Sequence, residues 1–355
     1  MPLSPPPILP PSFIPPYLLD RLAQRAAAPV SARAANTLLI DREHRAAREF
    51  LAPRAAPAST PGRVKRGAPQ RAIHDAGNGM QLPGRLVRAE GQAVTRDVAA
   101  DEAYEYLGAT WRLYHDVYER DSIDGAGLPL TGSVHYGNDY DNAFWNGAQM
   151  VFGDGDGEVF NRFTIAVDII GHELTHGVID HEAGLIYQGQ PGALNESICD
   201  VFGVLVKQHQ LRQTAQQADW LIGAGLFKDT VKARALRSMA EPGTAYDDPV
   251  LGKDPQPAHM KDIVVTREDN GGVHINSGIP NRAFQLAATA IEGPAWETAG
   301  RVWYDTVCDR RLRQDADFAA FAALTLDAAA NRFGAGSAAH KAVARAWSTV
   351  GVTAS

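Results

Sequence analysis

Cysteine is nearly absent from this chain of 355 residues, with Cys199 and Cys308 the only two. Two thiols make no disulfide framework, so stability must come from packing or from a bound metal. They leave the redox compartment open. No apolar run approaches the length of a membrane span, which excludes a helical membrane protein by sequence. No Lys or Arg precedes Arg21, and Pro2, Pro5, Pro6, Pro7, Pro10, Pro11, Pro15 and Pro16 interrupt any apolar stretch. A Sec-type signal peptide needs a basic start and an unbroken apolar core, so none is expected. Positive charge is also short: the net charge is -7, and nothing global points to nucleic acid.

What is present is ordinary for a globular protein, with 45% apolar and 21% charged residues. The length permits two or three folding units and a sizeable core. The charge is unevenly placed. Residues 1–71 carry 11 basic and 4 acidic residues, leaving 23 basic and 37 acidic residues for the remainder. A basic segment on an acidic body can dock by charge complementarity. A solvated, basic arm is the alternative that composition alone favours slightly.

Polyproline conformation is expected up to Pro16. Tyr17, Leu18, Leu22 and Ala26 then suggest a short amphipathic helix, and Leu38, Leu39 and Phe50 a second one over about 34–51. Pro53, Pro57, Pro61, Gly62, Gly67 and Pro69 mark a linker. It contains Arg63-Val64-Lys65-Arg66, which reads either as a cleavage site or as a flexible basic loop. The divisions expected are a prosegment over 1–52, a linker with the processing region over 53–70, a β-rich lobe with the metal helix over 71–190, and a helical lobe over 191–355.

Short strands are expected around Ile73, Leu82, Leu86-Val87, 132–136, 142–145 and 149–152. Asp97 is positioned to cap a long helix whose apolar residues Tyr104, Leu107, Trp111, Tyr114 and Tyr118 recur every three or four positions. Asp154 and Asp156 in Gly153-Asp154-Gly155-Asp156-Gly157 resemble a calcium loop only superficially. The sixth position of such a loop needs Gly and here is Val159, so a tight turn is expected. Beyond residue 281 the helical periodicity is dense, which predicts a bundle.

The most informative stretch is His172-Glu173-Leu174-Thr175-His176. On a helix, His172 and His176 stand one turn apart on one face and can share a metal ion. Glu173 is rotated off that line, where it can reach a water on the metal. Five residues alone fit two ordinary helix histidines as well. A zinc peptidase needs a third protein ligand. A third His is excluded, because Ile179 and Glu182 occupy the Gly and His positions of that longer motif, and His181 is one place out. Glu196 lies 20 residues after His176, with Gly184, Gly189, Pro191 and Gly192 breaking the chain between them. A second helix can therefore fold back and complete a His2Glu site with an open fourth position. Asp200, one turn on, can accept a hydrogen bond from a ligand imidazole.

In order along the chain stand Asn142-Ala143-Phe144-Trp145, the His172–His176 motif, Gly184-Leu185-Ile186-Tyr187, Asn195-Glu196, Leu236-Arg237-Ser238-Met239 and Asp269-Asn270-Gly271-Gly272-Val273-His274-Ile275-Asn276-Ser277-Gly278. By these motifs the chain, from about Ile73 onward, resembles the thermolysin-like zinc metallopeptidases. Phe13-Ile14-Pro15-Pro16-Tyr17-Leu18 is similar to the short prosegments of the protealysin subgroup.

The resemblance implies an α+β fold of two lobes, β-rich then helical, with the metal helix between them and a short helical prosegment ahead. It implies a neutral endopeptidase made as a self-processing precursor, with one catalytic zinc on His172, His176 and Glu196. Glu173 would be the base, and His274 and Tyr187 would donate to the oxyanion. Asp269 would orient His274, and Asn195 would join it and Asp200 in steadying the site. Asn142, the Ala143 carbonyl and Arg237 would hold the substrate backbone. Phe160, Ile169 and Leu236 would form an apolar pocket for a bulky residue after the scissile bond. The partners implied are protein and peptide substrates and the chain's own prosegment, folded over the cleft with Pro15-Pro16 near the zinc; neither nucleic acid nor membrane is implied, and a monomer is expected. The family is mostly secreted, so export without a Sec signal, or initial residence in the cytoplasm, is expected.

One departure is specific. Asp168 and Asp219 match the family's paired-calcium site, but Lys207, Leu221 and Ala224 replace its other acidic positions. Calcium is therefore expected to be absent there or weakened, with Lys207 supplying part of the charge. Two rival readings are a non-catalytic zinc protein that binds peptides and a different zinc hydrolase. The simultaneous presence of base, oxyanion donors and substrate-binding matches disfavours both.

Overall fold

The computed structural model describes residues 12–50 and 67–354, the side chains of 44–50 excepted. The polyproline expectation for residues 1–11, the linker over 51–66 and its basic tetrad lie outside the described residues.

The β-rich lobe is built on five strands: β1 (Arg71–Asp75), β2 (Arg85–Ala89), β3 (Leu130–Val134), β4 (Ala143–Trp145) and β5 (Met150–Phe152), in the order β2-β1-β3-β5-β4. Strands β1, β3 and β5 run parallel, and β2 and β4 are antiparallel edges. The parallel pairing of β1 with β3 requires a crossover. Helix α3 (Val98–Arg112) provides it, starting at the expected cap: the Asp97 carboxylate accepts from the Ala99 and Ala100 amides. Its buried residues Tyr104, Leu107 and Trp111 lie on the expected stripe. Leu82, expected in a strand, lies instead in the connection between β1 and β2.

Helix α4 (Val167–His181) follows, buried from Val167 to Ile179, and packs along α5 (Gly189–Leu211). The helices meet at glycines. A Cβ on Gly203 would stand 2.6 Å from the Asp168 carbonyl oxygen, and one on Gly171 would stand 3.0 Å from Gly203 Cα. The first contact is shorter than real Cβ atoms show and the second is tighter than most, so the side-chain-free crossing sets how near the two helices come. Helix α5 begins earlier than expected. Pro191 and Gly192 lie within its first turn instead of breaking the chain, and proline is tolerated there because its missing N–H has no partner in a first turn anyway.

The helical lobe adds α6 (Asp269–Asn276), α7 (Gly278–Ile291), α8 (Ala299–Val307), α9 (Phe318–Phe333) and α10 (Ala338–Thr349). Trp303, Phe284, Phe321 and Trp347 form its aromatic centre, with Trp303 and Trp347 stacked and Trp347 donating to Thr325 at 2.8 Å. The two-lobed α+β architecture matches the expectation. Among the described residues no helix is long and apolar enough to cross a membrane.

Ahead of the lobes stand α1 (Pro16–Arg25) and α2 (Val30–Phe50). Leu18, Leu19 and Leu22 are the buried face of α1. Arg33 on α2 reaches Asp139 (3.1 Å) and Glu158 (2.9 Å), Thr37 accepts from the Asp141 amide, and Asp41 accepts from Tyr140 (2.6 Å) and Asn142 (3.0 Å). The basic charge of Arg33 thus meets acidic groups of the body.

Candidate metal centre and its cleft

Every residue named from the sequence for the zinc site and its substrate cleft is buried. Helices α4 and α5 bring the two histidines and Glu196 together. His172 Nε2 lies 3.5 Å from Glu196 Oε2, and His176 Nε2 lies 3.5 Å from Glu196 Oε1. A tetrahedral zinc with bonds of about 2.0–2.1 Å has ligand–ligand edges of about 3.3–3.4 Å, close to these spacings. His172 Nε2 and Glu196 Oε2 are buried and have no hydrogen-bond partner. Buried polar atoms are normally satisfied, so these two point to a missing partner, and a cation fits their chemistry.

The opposite nitrogens are held from behind. His172 Nδ1 meets Asp200 Oδ1 at 2.8 Å, and His176 Nδ1 meets Asn195 Oδ1 at 2.9 Å. An Nδ1–H donated to an oxygen leaves the lone pair on Nε2, as a metal ligand requires. Asp200 also accepts two bonds from Arg237, each 2.8 Å, and one from Asn281 at 2.8 Å. Burial opposes its charge, but Arg237 and His172 hold its carboxyl well below the usual carboxylate range. Arg237 Nη1 is buried without a hydrogen-bond partner.

Glu173, the next residue along α4, is turned off the line of the two histidines. Its Oε2 accepts from the Trp145 amide at 3.0 Å, which ties the helix to β4, and its Oε1 is buried without a hydrogen-bond partner. Burial, with the nearby Glu196 carboxylate, pushes Glu173 well above the usual carboxylate range. Across the cleft, His274 Nε2 is 3.6 Å from Glu196 Oε2 and 3.3 Å from the Tyr187 hydroxyl, which also donates to Glu196. Asp269 holds His274 twice, through Nδ1 at 2.5 Å and through the backbone amide at 2.9 Å. Burial lowers the His274 pKa, but Asp269 and Glu196 outweigh it and raise it to about 9. The loop that makes this possible has positive φ at Asn270, Gly271 and Gly272, a conformation for which glycine is suited.

Cys199 was not singled out from the sequence. Its sulfur lies 3.2 Å from His176 Nδ1, and His172, His176 and Cys199 offer ligand atoms within 4.8 Å of one another. Nδ1 is the nitrogen facing Asn195, on the far side of the ring from Glu196, and burial pushes the thiol pKa well up. The nitrogen and oxygen set of His172, His176 and Glu196 fits a cation better. Asn281 also escaped the sequence reading, being 81 residues from Asp200.

The cleft is occupied by the chain's own N-terminal segment, and the residues that bond to the site stand just ahead of the prolines. Pro15 caps and Pro16 begins α1, and it is Ser12 to Ile14 that lie along the site. The Phe13 amide donates to the Ala143 carbonyl (3.1 Å), the Ile14 amide to Asn142 Oδ1 (2.9 Å), and the Ser12 carbonyl oxygen is 3.2 Å from His274 Nε2. The fully buried Phe13 ring packs edge-on to His172 at 5.4 Å between centroids and lies 5.0 Å from the Arg237 guanidinium. A Cβ on Gly223 would touch both this ring and Leu236. Phe160 and Ile169 belong to the same apolar cluster, Phe160 packing on Phe163 and Phe227.

At the far end of α4, Lys207 Nζ lies 3.1 Å from Asp168 Oδ2, 2.8 Å from Asp219 Oδ1 and 2.5 Å from the Leu221 carbonyl. Burial lowers its pKa, and the two carboxylates more than offset that.

Comparison with known proteins gives a consistent set of likenesses. A family model described as thermolysin metallopeptidase, catalytic domain, matches residues 64–180, and one described as thermolysin metallopeptidase, alpha-helical domain, matches residues 183–352. An extracellular metalloprotease of Pectobacterium carotovorum subsp. carotovorum is 62% identical over 286 residues, covering 81% of this chain and 82% of that protein. Protease PrtS of Photorhabdus sp. (strain Az29) is 53% identical over 285 residues, covering 79% and 76%. The solved precursor of protealysin, a metalloproteinase from Serratia proteamaculans, is 56% identical with a TM-score of 0.88, covering 97% of this chain and 100% of that one.

Proposed function

The chain belongs to the thermolysin family of zinc-dependent metalloendopeptidases, and from that premise we propose that it is a latent endopeptidase that cuts proteins before a bulky apolar residue. The observation that carries this reading is the convergence of His172 Nε2, His176 Nε2 and Glu196 on one buried point, with the Glu173 carboxyl near enough to feel the Glu196 charge. In this proposal His172, His176 and Glu196 hold zinc. When bound, zinc supplies Lewis acidity toward the peptide carbonyl and toward water. Glu173, fixed by the Trp145 amide, takes a proton from the attacking water and delivers it to the leaving nitrogen. A cation at the site opposes the burial that now raises its pKa, so that it acts as a carboxylate. His274, held protonated by Asp269, and the Tyr187 hydroxyl donate to the developing oxyanion.

The substrate backbone pairs with the Ala143 carbonyl and Asn142, and Arg237 Nη1 takes a substrate carbonyl. Phe160, Ile169 and Leu236 line the pocket for the residue after the scissile bond. The buried aromatic ring of Phe13, which like Leu236 borders Gly223, supports that preference. Residues 1–52 form the inhibitory prosegment, 53–70 the processed linker, and 71–190 and 191–355 the two lobes of a monomeric enzyme. Its work is done after export, in keeping with a relative named as an extracellular metalloprotease.

The test is casein hydrolysis by the zinc-loaded chain, before and after limited tryptic removal of the N-terminal segment. Trimming is expected to raise activity at least tenfold, and a chelator to abolish it. Equal activity from the intact chain would remove latency from the proposal.

Lys207 takes the place of calcium at the far end of α4 in this reading. Lys207→Met then leaves the fully buried Asp168 carboxylate without its cation, at a cost on the order of 3 kcal/mol. Thermal unfolding is expected to fall by several degrees in that variant, and the wild type is expected to show no calcium-dependent shift. A large stabilisation of the wild type by calcium would exclude the substitution of one cation by the other.

A further inference from the structure

Three backbone contacts fix how the N-terminal segment threads the cleft. The Ser12 carbonyl oxygen faces His274 Nε2 at 3.2 Å, the Phe13 amide donates to the Ala143 carbonyl at 3.1 Å, and the Ile14 amide donates to Asn142 Oδ1 at 2.9 Å. These are three of the groups assigned above to a substrate, met in the same order along the chain, while Arg237 Nη1 is left without a hydrogen-bond partner. A carbonyl faces the oxyanion donor, the following N–H meets the Ala143 carbonyl, and the next N–H meets Asn142. The side chain that follows the carbonyl, Phe13, is fully buried beside His172, Arg237 and Gly223, where the residue after a scissile bond belongs. A segment that merely plugged the cleft would be free to run in either direction or to place a side chain over the metal ligands. This one presents a peptide bond.

We propose that the Ser12–Phe13 bond is a self-cleavage site, cut in cis by the chain that carries it; the inference rests on the peptidase reading above. The reaction is hydrolysis. The Ser12 carbonyl carbon gains a hydroxyl from water, the C–N bond breaks, and the Phe13 nitrogen leaves as an amine carrying the proton relayed by Glu173. Residues 1–12 depart as a peptide. The remainder of the segment stays, because Leu18, Leu19 and Leu22 are buried and Arg21, Arg33 and Asp41 bond to the body. The new Phe13 amine remains beside the Ala143 carbonyl, with its ring still in the pocket. This first cut therefore does not by itself open the site. Release of the rest requires the later loss of α1 and α2.

The experiment uses the full chain, purified free of metal and then loaded with zinc at several protein concentrations. Intact-mass measurement and N-terminal sequencing are expected to show loss of residues 1–12 and a new start at Phe13, with a half-time independent of concentration. Phe13→Pro, which removes the donated N–H, and Glu173→Gln are each expected to retain the bond. A second readout needs no activity. In the metal-free Glu173→Gln chain, the Phe13 and Ile14 amides are expected to exchange with deuterium at least 100-fold more slowly than in a free peptide. Phe13→Asp is expected to expose both while leaving the protection of α9 unchanged. Rapid exchange of these amides in the unaltered segment would show the register to be wrong. A zinc-loaded chain that digests casein after tryptic trimming yet never yields a Phe13 start overturns the cleavage proposal alone. If the trimmed chain digests no casein either, the peptidase reading beneath it falls as well.

Discussion

Glu173→Gln is expected to lower casein hydrolysis by at least a thousandfold while leaving zinc content and thermal stability unchanged or slightly raised. Glutamine has the shape of glutamate, and its amide oxygen can still accept from the Trp145 amide as Glu173 Oε2 does at 3.0 Å. What it loses is the ability to take a proton, and general acid–base groups contribute about 10²–10⁴-fold. The base is used twice here, first on water and then on the leaving nitrogen, which places the loss toward the upper end. Stability is not expected to fall, because Glu173 is fully buried, its charged form is disfavoured by burial and by Glu196, and its Oε1 has no hydrogen-bond partner. A neutral amide relieves that like-charge contact. Turnover and zinc stoichiometry measured on the same preparation separate the two effects. A variant retaining more than a tenth of the activity with full zinc would remove Glu173 from the role of base.

How much of this was legible in advance depends on how local each feature is. His172 and His176 are one helical turn apart, so their shared face followed from the sequence alone. Glu196 required only that a second helix fold back, and a broken stretch lay between the two. The helix after Asp97 was legible for the same reason: a cap and a period of three to four residues are short-range signals. The parallel run of β1, β3 and β5 was not, since strand order is set by tertiary packing and no local pattern encodes it. Nor was the closeness of α4 and α5. It depends on Gly171 meeting Gly203, 32 positions apart, and each glycine alone reads as a mild helix destabiliser. The beginning of α5 is not legible either, because proline and glycine read locally as breakers whereas a first turn accepts them. The groups that bond to the cleft belong to Ser12, Phe13 and Ile14, just ahead of the prolines. The prolines drew attention, but their role is to begin α1, and that leaves the bond between Ser12 and Phe13 at the reacting groups.

Asp200→Ala is expected to be the most disruptive single change outside the zinc ligands. Asp200 is fully buried and satisfies three neighbours at once, which include a ligand imidazole, the Arg237 guanidinium and the Asn281 amide. Removing it leaves a buried guanidinium with no counter-charge, and breaking a buried pair in this way costs about 3–5 kcal/mol. In a chain of this size that corresponds to a fall in Tm of about 4–7 °C. Zinc affinity is expected to fall about 10–100-fold, because His172 loses the acceptor that fixes its tautomer and ring orientation. The pH dependence has a definite sign. The Asp200 carboxyl is held below its ordinary value, chiefly by Arg237 and His172 acting against burial. Its stabilisation is therefore present above the unfolded value of about 3.9 and is lost only as the pH falls well below that. The wild type and Asp200→Ala are thus expected to differ in Tm by a nearly constant amount between pH 5 and 8, and to converge in acid. Asp200→Asn, which keeps the shape and one acceptor, is expected to recover part of the stability but little of the zinc affinity. If Asp200→Ala binds zinc as tightly as the wild type and unfolds at the same temperature, the coupling of the metal centre to Arg237 through Asp200 is wrong. The substrate-holding side of the cleft would then be independent of the metal side.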